Sequence, residues 1–230
     1  MENEGIKVNE NPVEIQYKDS EDRWHTAVKQ CTQGYMAAPE AGTDIWYENG
    51  LAVVRRLDFK DNTVTLTYTG VCDRRGRYTF GDSFSVCLDQ GKEGAASHVM
   101  QLAADLFEWI GQEQTVTGEM RSVKNSPLDF REDKFIGEAL ESHHPQIRAK
   151  EGIDHAFVLN EEKEALWLYS PRTRESLVVD TTWPEVQVTC GGQDKEISLR
   201  FGFLRPVKME AGQSFRQTLT FVLTQEMNID

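Results

Sequence analysis

Short runs in which apolar and polar residues alternate recur along the chain from Val13 onward, and turn residues separate them. The run VEIQY at residues 13–17 alternates without a break. Residues 51–59 and 63–69 flank the turn Lys60-Asp61-Asn62 in the manner of a hairpin. A period of two is the period of a β-strand with one buried face, so the pattern predicts many short strands joined by turns.

The second run of this hairpin places Val64, Leu66 and Tyr68 on one side of the strand and threonines on the other. Further strands are expected at residues 84–88, 98–103, 165–169, 177–179, 186–189, 197–203 and 215–224. Helical periodicity is sparse, and only residues 133–142 suggest a short helix. Many short strands with frequent turns predict an all-β protein, either a sandwich or a barrel.

The length of 230 residues suits one sizeable domain, and the hydrophobic content of 39% can supply its core. Residues 1–12 are polar and acidic, and we expect them to form a flexible tail. Residues 13–230 are then predicted to form a single domain. Residues 1–50 contain Arg23-Trp24-His25 and a segment around Trp46, neither of which the sequence alone places.

The formal net charge of −13 argues against nucleic-acid binding, because neutralising phosphates needs a basic face. It also argues against docking on an anionic membrane. No apolar run approaches ~18 residues, the length that a membrane-spanning helix needs. The sequence predicts neither nucleic acid nor membrane as a partner, and it does not indicate the oligomeric state.

The four cysteines, Cys31, Cys72, Cys87 and Cys190, form no C-x-x-C pair and have no zinc-ligand spacing with a histidine. We expect reduced thiols in a cytoplasmic protein and no metal site. The N-terminus lacks a basic and apolar signal segment. No G-x-G-x-x-G motif or P-loop is present, so no nucleotide cofactor is expected.

Four short segments stand in a distinctive order between residues 116 and 159: VTGEM at 116–120, SPLDFR at 126–131, FIG at 135–137 and GIDHAFVL at 152–159. This order and spacing resemble the aldose 1-epimerase (galactose mutarotase) family. The resemblance runs from about residue 51 to residue 224. It implies a large antiparallel β-sandwich of the galactose mutarotase type, one that holds a monosaccharide or a modified aldose. Within this string we expect Thr117-Gly118-Glu119 to be a turn and an ion pair between Asp129 and Arg131 to tie a loop.

Interconverting sugar anomers requires a base at the C1 hydroxyl and an acid at the ring oxygen. The resemblance implies a Glu as base in an L-E-P context and a His as acid in an N-H-S-Y-F-N-L segment. It also implies that Asp154 binds sugar hydroxyls, and we expect Asp154 to face a hollow of the size of a sugar ring. The alternative is that Asp154 caps the turn before its strand. The neighbouring His155 is expected to be a structural residue with its hydrogen bonds satisfied.

The acid and the base are both missing from their expected places. Residues 84–91 read FSVCLDQG, without a histidine, and His98 is a weak substitute for the acid. Arg205 stands where the base is expected, and a guanidinium cannot accept a proton because it stays charged. Glu210 is a weak candidate for the base, in a segment that is expected to face solvent. Arg205 has two interpretations: recognition of a carboxylate or phosphate on a modified sugar, or a surface ion pair.

Trp183 is a candidate ligand-stacking residue, although an aromatic residue in a strand-rich chain is often part of the core. The sequence therefore supports a carbohydrate-binding protein of the aldose 1-epimerase type, which interconverts anomers if it is active. The alternative is a sugar-binding or regulatory β-sandwich with a degenerate site, and a third hypothesis is a sandwich that binds another protein. Whether the chain is an enzyme stays open at this point.

Overall fold

The computed structural model describes residues 1–3, 5–38, 40–111, 115–161 and 164–225. These residues form two antiparallel sheets and two short helices, with strands numbered in chain order. The large sheet has ten strands, in the spatial order β1 (Glu2–Asn3), β2 (Ile6–Glu10), β3 (Val13–Lys18), β4 (Trp24–Gln30), β9 (Gly76–Val86), β18 (Ile197–Met209), β17 (Glu185–Gly191), β14 (Gly152–Leu159), β11 (Ala104–Ile110) and β12 (Val116–Ser122).

The small sheet has nine strands, in the spatial order β13 (Lys134–Phe135), β10 (Val99–Leu102), β15 (Leu166–Ser170), β16 (Glu175–Thr181), β19 (Ser214–Gln225), β8 (Thr63–Cys72), β7 (Leu51–Lys60), β6 (Thr43–Glu48) and β5 (Met36–Ala37). The helices α1 (Ile136–Leu140) and α2 (Pro145–Lys150) precede β14 in the chain. The predicted all-β sandwich is confirmed, and so are the hairpin of β7 with β8 and the short helix within residues 133–142.

The core lies between the two sheets and is built by the alternating side chains. Val64, Leu66 and Tyr68 are at most 1% exposed, as the period of two in β8 predicts. Phe84 of the large sheet contacts Phe221 of the small sheet, with ring centroids 5.0 Å apart. The buried cluster draws on residues from Ile6 to Leu223.

The prediction of a flexible tail over residues 1–12 is wrong. Ile6 and Val8 of β2 lie in the core, with Val8 fully buried, and β2 pairs with β3 through Val8 and Ile15. Ile6 and Val8 alternate with polar residues, which is a strand pattern, but the pattern is short and lies within a polar and acidic segment. Pairing with β3 sets Ile6 and Val8 beside the buried Tyr17 and Ile15, so the apolar side of β2 faces the core.

Two smaller expectations had different outcomes. Thr117-Gly118-Glu119 is not an isolated turn, because it lies within the edge strand β12, where Gly118 has φ +74°. The expected ion pair between Asp129 and Arg131 is present, with a distance of 2.8 Å between Arg131 Nη2 and Asp129 Oδ2.

A buried polar network links the two sheets. Arg55 of β7 is fully buried and forms ion pairs with Asp44 of β6 and Asp82 of β9. Asp82 also accepts hydrogen bonds from the Tyr68 hydroxyl at 2.9 Å and from the Gln30 amide at 2.9 and 3.1 Å. Since Arg55, Asp44 and Tyr68 belong to the small sheet and Asp82 and Gln30 to the large one, the network spans the sandwich.

The N-terminal residues that the sequence left unplaced surround this network. The Tyr35 ring lies 4.1 Å from the Arg55 guanidinium, and burial raises the pKa of the Tyr35 hydroxyl well above its usual value. The Asn11 amide donates to Asp44 at 2.9 Å. Asn11 and Tyr35 therefore help to close the polar interior of the sandwich.

His155 of β14 points into the core and is fully buried. Its Nδ1 accepts the backbone N–H of Asp154 at 3.2 Å, and its Nε2 lies 3.3 Å from the Gln146 carbonyl oxygen of α2. The Gln146 side-chain oxygen accepts the backbone N–H of Ile110 at 2.8 Å, and its Nε2 donates to the Ile110 carbonyl at 2.9 Å. The amide thus makes the two hydrogen bonds that the backbone of a neighbouring strand would make. Burial lowers the pKa of His155 to about 4. His155 is thus a neutral structural residue, as expected.

Replacing Asp82 with alanine is expected to destabilise the fold by about 3–5 kcal/mol, because Arg55 loses one of its two buried carboxylates and the donors Tyr68 and Gln30 lose their acceptor. The free energy of unfolding in urea measures this effect. Asp58→Ala is the matched control on β7, since the Asp58 side chain is 65% exposed. That control is expected to stay within about 0.5 kcal/mol of wild type. Equal losses in the two variants would contradict a central role for the network.

The stability of the protein is expected to depend on the titration of His155. The pKa of His155 is about 4 in the folded state and about 6.5 in an unfolded chain. As the pH falls through this interval the unfolded state takes up the proton first, so stability is lost between about pH 6.5 and pH 4. The loss is on the order of 3 kcal/mol.

Urea unfolding at several pH values between 4 and 7 tests this expectation. His155→Gln keeps a polar side chain but does not titrate, so its stability should fall less as the pH falls. His143→Gln, at an exposed position, is the control and should follow wild type. A His155→Gln protein with the full pH dependence of wild type would assign the acid sensitivity to other groups.

Candidate functional site

Asp154 lies on the side of the large sheet that is turned away from the small sheet, which we call the outward face. In β14 the core takes Ile153, His155 and Phe157, so Asp154 and Ala156 point outward. In β17 Val186, Val188 and Cys190 are buried, which leaves the alternate positions on the outward face.

The Asp154 carboxylate is held by three side chains, and together these four residues form the Asp154 cluster. Oδ1 accepts from the Gln187 amide at 2.7 Å and from the Thr189 hydroxyl at 3.1 Å. Lys150, at the end of α2, lies 3.2 Å from Oδ2. Partial burial acts to raise the pKa of the Asp154 carboxyl, but the bonds from Gln187, Lys150 and Thr189 outweigh it and hold the pKa below its usual value. Asp154 is therefore ionised at neutral pH and is 30% exposed.

The outward face continues from the Asp154 cluster across β18 and β9. Thr189 pairs with Ser198 and Ser198 with Ser85, while Gln187 pairs with Arg200 and Arg200 with Ser83. The exposed Arg200 side chain lies over Gly81, where an added Cβ would stand 2.5 Å from its Nε. Hydroxyl, amide and guanidinium groups thus line the strands beside Asp154, a composition suited to hydrogen bonding with a polar ligand.

A depression of about 360 Å³ lies on the same face. Lys29, Ser85, Cys87, Lys195 and Glu196 are among its lining residues, and Asp154 is not one of them. Ser85 is three strands from Asp154 in the order of the sheet, a separation of roughly 14 Å at ordinary strand spacing. The hollow on this face therefore lies to one side of Asp154 and not directly beside it, unlike our expectation.

His98 does not reach the outward face. It is fully buried, its Nε2 accepts the backbone N–H of Leu88 at 3.3 Å, and its Nδ1 lies 3.1 Å from the Gly94 carbonyl oxygen. Burial lowers the pKa of its imidazole below the usual value. Both ring nitrogens are therefore occupied by the loop that follows β9, and the residue has no free nitrogen for the role of acid.

Arg205 forms an ion pair, in agreement with the second of its two interpretations. Its Nε donates to Glu185 of β17, which is 3% exposed. The same carboxylate accepts the backbone N–H groups of Leu204 at 2.9 Å and Arg205 at 3.1 Å. These bonds fix an irregularity in the pairing of β18 with β9 between Phe203 and Val207. Glu185 thus neutralises Arg205 at the place where the family base was expected.

Glu210 and Trp183 lie away from the Asp154 cluster. Glu210 is exposed in the turn after β18, with its carboxylate 3.3 Å from Arg75, and the length of β18 separates it from Ser198 by roughly 40 Å. Trp183 is 2% exposed, and its indole packs against the rings of Tyr68, Phe80, Phe203 and Phe215. Its side chain belongs to the core and does not face the outward surface.

Sequence reasoning missed the three side chains that hold Asp154. The alternation at residues 186–189 places Gln187 and Thr189 on a polar face, but the register of β14 with β17 joins residues 33 and 35 positions apart. Lys150 is four residues before Asp154 and ends α2. The sequence shows no helical periodicity at α2, so nothing in it places the Lys150 side chain beside Asp154.

The titratable groups of the described ranges show no metal-binding arrangement, since no three His, Cys, Asp or Glu residues lie close enough to hold an ion. In the same ranges, no helix is both long and apolar enough to cross a membrane.

Solved structures share this fold. The GalM/aldose epimerase homologue from C. elegans superposes with a TM-score of 0.75 at 14% identity and covers 92% of each chain. The galactose 1-epimerase from Lactobacillus acidophilus has a TM-score of 0.64 at 19% identity, covering 97% of this chain and 76% of its own. A galactose mutarotase-like protein from Lactobacillus casei has a TM-score of 0.63 at 12% identity, with 97% and 99% covered. At these identities the likeness establishes the fold alone.

Comparison with curated proteins gives no match. The sequence model of the family described as aldose 1-epimerase matches residues 30–220. The match begins about twenty residues before the start that the motifs indicated, within the segment that surrounds the buried network. It spans well over half of the chain, and the chain therefore belongs to the aldose 1-epimerase family.

Proposed function

We propose that this chain is a sugar-binding member of the aldose 1-epimerase family that recognises an aldose on its outward face and does not accelerate anomer interconversion. The observation that carries this proposal is the composition of the outward face around Asp154. Among the strands β9, β14, β17 and β18, all of them described, no histidine faces outward, while Asp154, Gln187, Thr189 and Arg200 do.

The Asp154 cluster supports recognition of sugar hydroxyls. A carboxylate offers about four lone-pair positions, and Gln187, Thr189 and Lys150 occupy three of them. The remaining position and the exposed part of the carboxylate are available to a hydroxyl donor. Because the carboxylate is ionised and its partners hold its orientation, such a bond would be charge-assisted and stronger than one between neutral groups.

The same face argues against rapid turnover. Glu185 neutralises Arg205, and His98 is buried with both nitrogens bonded. A positioned acid or base contributes about 10²–10⁴-fold each, so a sugar held at Asp154 without both groups within reach would lose most of the rate enhancement. The alternative, a working aldose 1-epimerase, is favoured by the family membership itself. We also place the protein in a reducing, cytoplasmic setting, since all four cysteines are free thiols.

Proton NMR of freshly dissolved α-glucose and α-galactose distinguishes the two functions. We expect the anomeric signals to equilibrate at the rate of buffer alone, because His98 is buried and no histidine faces outward from the strands β9, β14, β17 and β18 around Asp154. A rate that rises in proportion to the protein concentration would establish the working enzyme and overturn the non-catalytic proposal.

Asp154→Ala is expected to weaken glucose or galactose binding about 10-fold or more, since hydrogen bonds to charged groups contribute about 1.5–3 kcal/mol. Calorimetric titration measures the affinity. Asp105→Ala is the matched control, because Asp105 is an exposed carboxylate of the neighbouring strand β11 that pairs with Arg131. Unchanged affinity in Asp154→Ala would remove this residue from the binding site.

A further inference from the structure

A second polar region lies at the opposite side of the sandwich from Asp154, around the buried residue Glu175. Glu175 begins β16, is 1% exposed and pairs with Ser170 of β15 and Gln225 of β19. In β16 the Glu175 side chain lies on the same side of the strand as the buried Leu177, and it therefore points between the sheets. Tyr17 of β3 approaches from the large sheet and is 3% exposed.

One carboxyl oxygen of Glu175, Oε1, has no hydrogen-bond partner among the described residues. Two hydroxyl groups of this region donate elsewhere: Tyr17 to the Leu88 carbonyl at 3.2 Å and Thr173 to the same carbonyl at 2.7 Å. A hydroxyl has one proton to donate, so neither can also satisfy Glu175. A buried acceptor that lacks a donor costs free energy, and in native proteins such a group calls for an explanation.

Two depressions flank this carboxyl group, and we call them together the Glu175 cleft. One of about 310 Å³ reaches toward Gly5, Ile6 and Asn62, and one of about 330 Å³ reaches toward the turns at Asp19 and Arg172. Both are lined by Tyr17, Glu175 and Gln225. Each volume falls at the lower end of the range of small-molecule sites.

Three cationic side chains stand in the lining of the cleft, although the chain as a whole is strongly acidic. Lys18, Arg23 and Arg172 line it together with Asp19 and Glu175. Each of the three cations is already paired with an exposed or partly exposed carboxylate, at distances from 2.9 to 3.4 Å. Four carboxylates supply these pairs, Asp19, Glu21, Asp22 and Glu93, so an anionic ligand has to compete with them for the cations. That competition is easiest at Lys18 and Arg172, because their ion pairs are exposed and exposed pairs contribute little to stability.

We propose that the Glu175 cleft binds a small hydroxylated anion, a sugar phosphate or a hydroxycarboxylate. A ligand hydroxyl donates to Glu175 Oε1, and the anionic group contacts the guanidinium groups of Arg23 and Arg172. This site is distinct from the Asp154 cluster, since β3 and β14 are five strands apart, or roughly 24 Å.

The protonation of Glu175 makes binding sensitive to pH. Burial raises the pKa of its carboxyl to about 7, against the hydrogen bond from Gln225. When Glu175 loses its proton, the new negative charge repels an anionic ligand. If only the protonated form binds, affinity should fall about 10-fold between pH 6 and pH 8.

The other charged and titratable groups around Glu175 come from several elements of the fold. The large sheet contributes Tyr17 and Lys18 of β3, Asp19 and Arg23 of the following turn, and His25 of β4. The turn before β16 contributes Arg172 and Arg174, and Cys87 lies near Tyr17. Burial raises the pKa of Tyr17, and hydrogen bonds led by the Arg23 backbone lower the pKa of Asp19, so neither changes charge between pH 6 and pH 8. The Nε2 atom of His25 lies 2.7 Å from Asp19 Oδ2, so His25→Gln serves as the control.

Isothermal titration calorimetry with gluconate and with glucose 6-phosphate tests the proposal on the full chain. Gluconate carries the pH series, because its own carboxylate stays ionised from pH 6 to pH 8. We expect at least one probe to bind, Glu175→Leu to weaken that binding 10-fold or more, and Glu175→Gln to bind with no dependence on pH. His25→Gln should keep the pH dependence of wild type.

Three outcomes would overturn the proposal: no binding of either probe at millimolar concentration, equal affinity in Glu175→Leu, or tighter binding of uncharged sorbitol or cationic glucosamine. Glu175→Leu is a fair test because replacing a buried ionisable group by an apolar one is often neutral for stability, and an unfolding curve checks this. Asp154→Ala should bind gluconate as wild type does, so failure at one site is distinguishable from failure at the other.

Discussion

The buried ion pair between Arg55 and Asp82 is the contact on which the arrangement of the two sheets depends. Arg55 comes from the small sheet and Asp82 from the large one. Removing Arg55 would leave the buried Asp82 without a cation, and removing Asp82 would leave Arg55 with Asp44 as its one carboxylate partner. Gln30 and Tyr35 reach the same pair from the N-terminal segment. This explains why residues without an obvious place in the motif string belong to the core, and why the family match extends back to residue 30.

Much of this fold follows from local pattern, and the parts that do not have a common physical cause. Alternation places Val64 and Leu66 in the core because burial of one strand face is a local property. The partners of Asp154 depend on which strand lies beside β14, and Trp183 is buried because of rings from distant strands. Register and burial of this kind are set by long-range pairing. The sequence therefore singles out Asp154 but not the residues that hold its carboxylate, and it does not show whether the Trp183 indole is buried or exposed.

Family membership and catalysis are separate properties of this chain. The sandwich and its outward polar face need only the alternation and the register, and neither of these depends on a catalytic acid or base. The region around Arg205 illustrates this: Glu185 satisfies the guanidinium and two backbone N–H groups together, so this part of β18 is stable without a free carboxylate. A fold that satisfies its own polar groups in this way can lose catalytic residues and keep a surface that binds.

Two buried titratable residues, His155 and Glu175, show how a structural group differs from one that awaits a ligand. Burial shifts both pKa values toward the neutral form, downward for His155 and upward for Glu175. His155 has partners for both ring nitrogens, so its neutral form completes a network with Gln146 and the backbone. Glu175 has depressions on two sides and an oxygen without a donor. A hydroxyl of a molecule bound in the cleft would donate to that oxygen and so offset the cost of burying it, which is the role that we propose for the ligand.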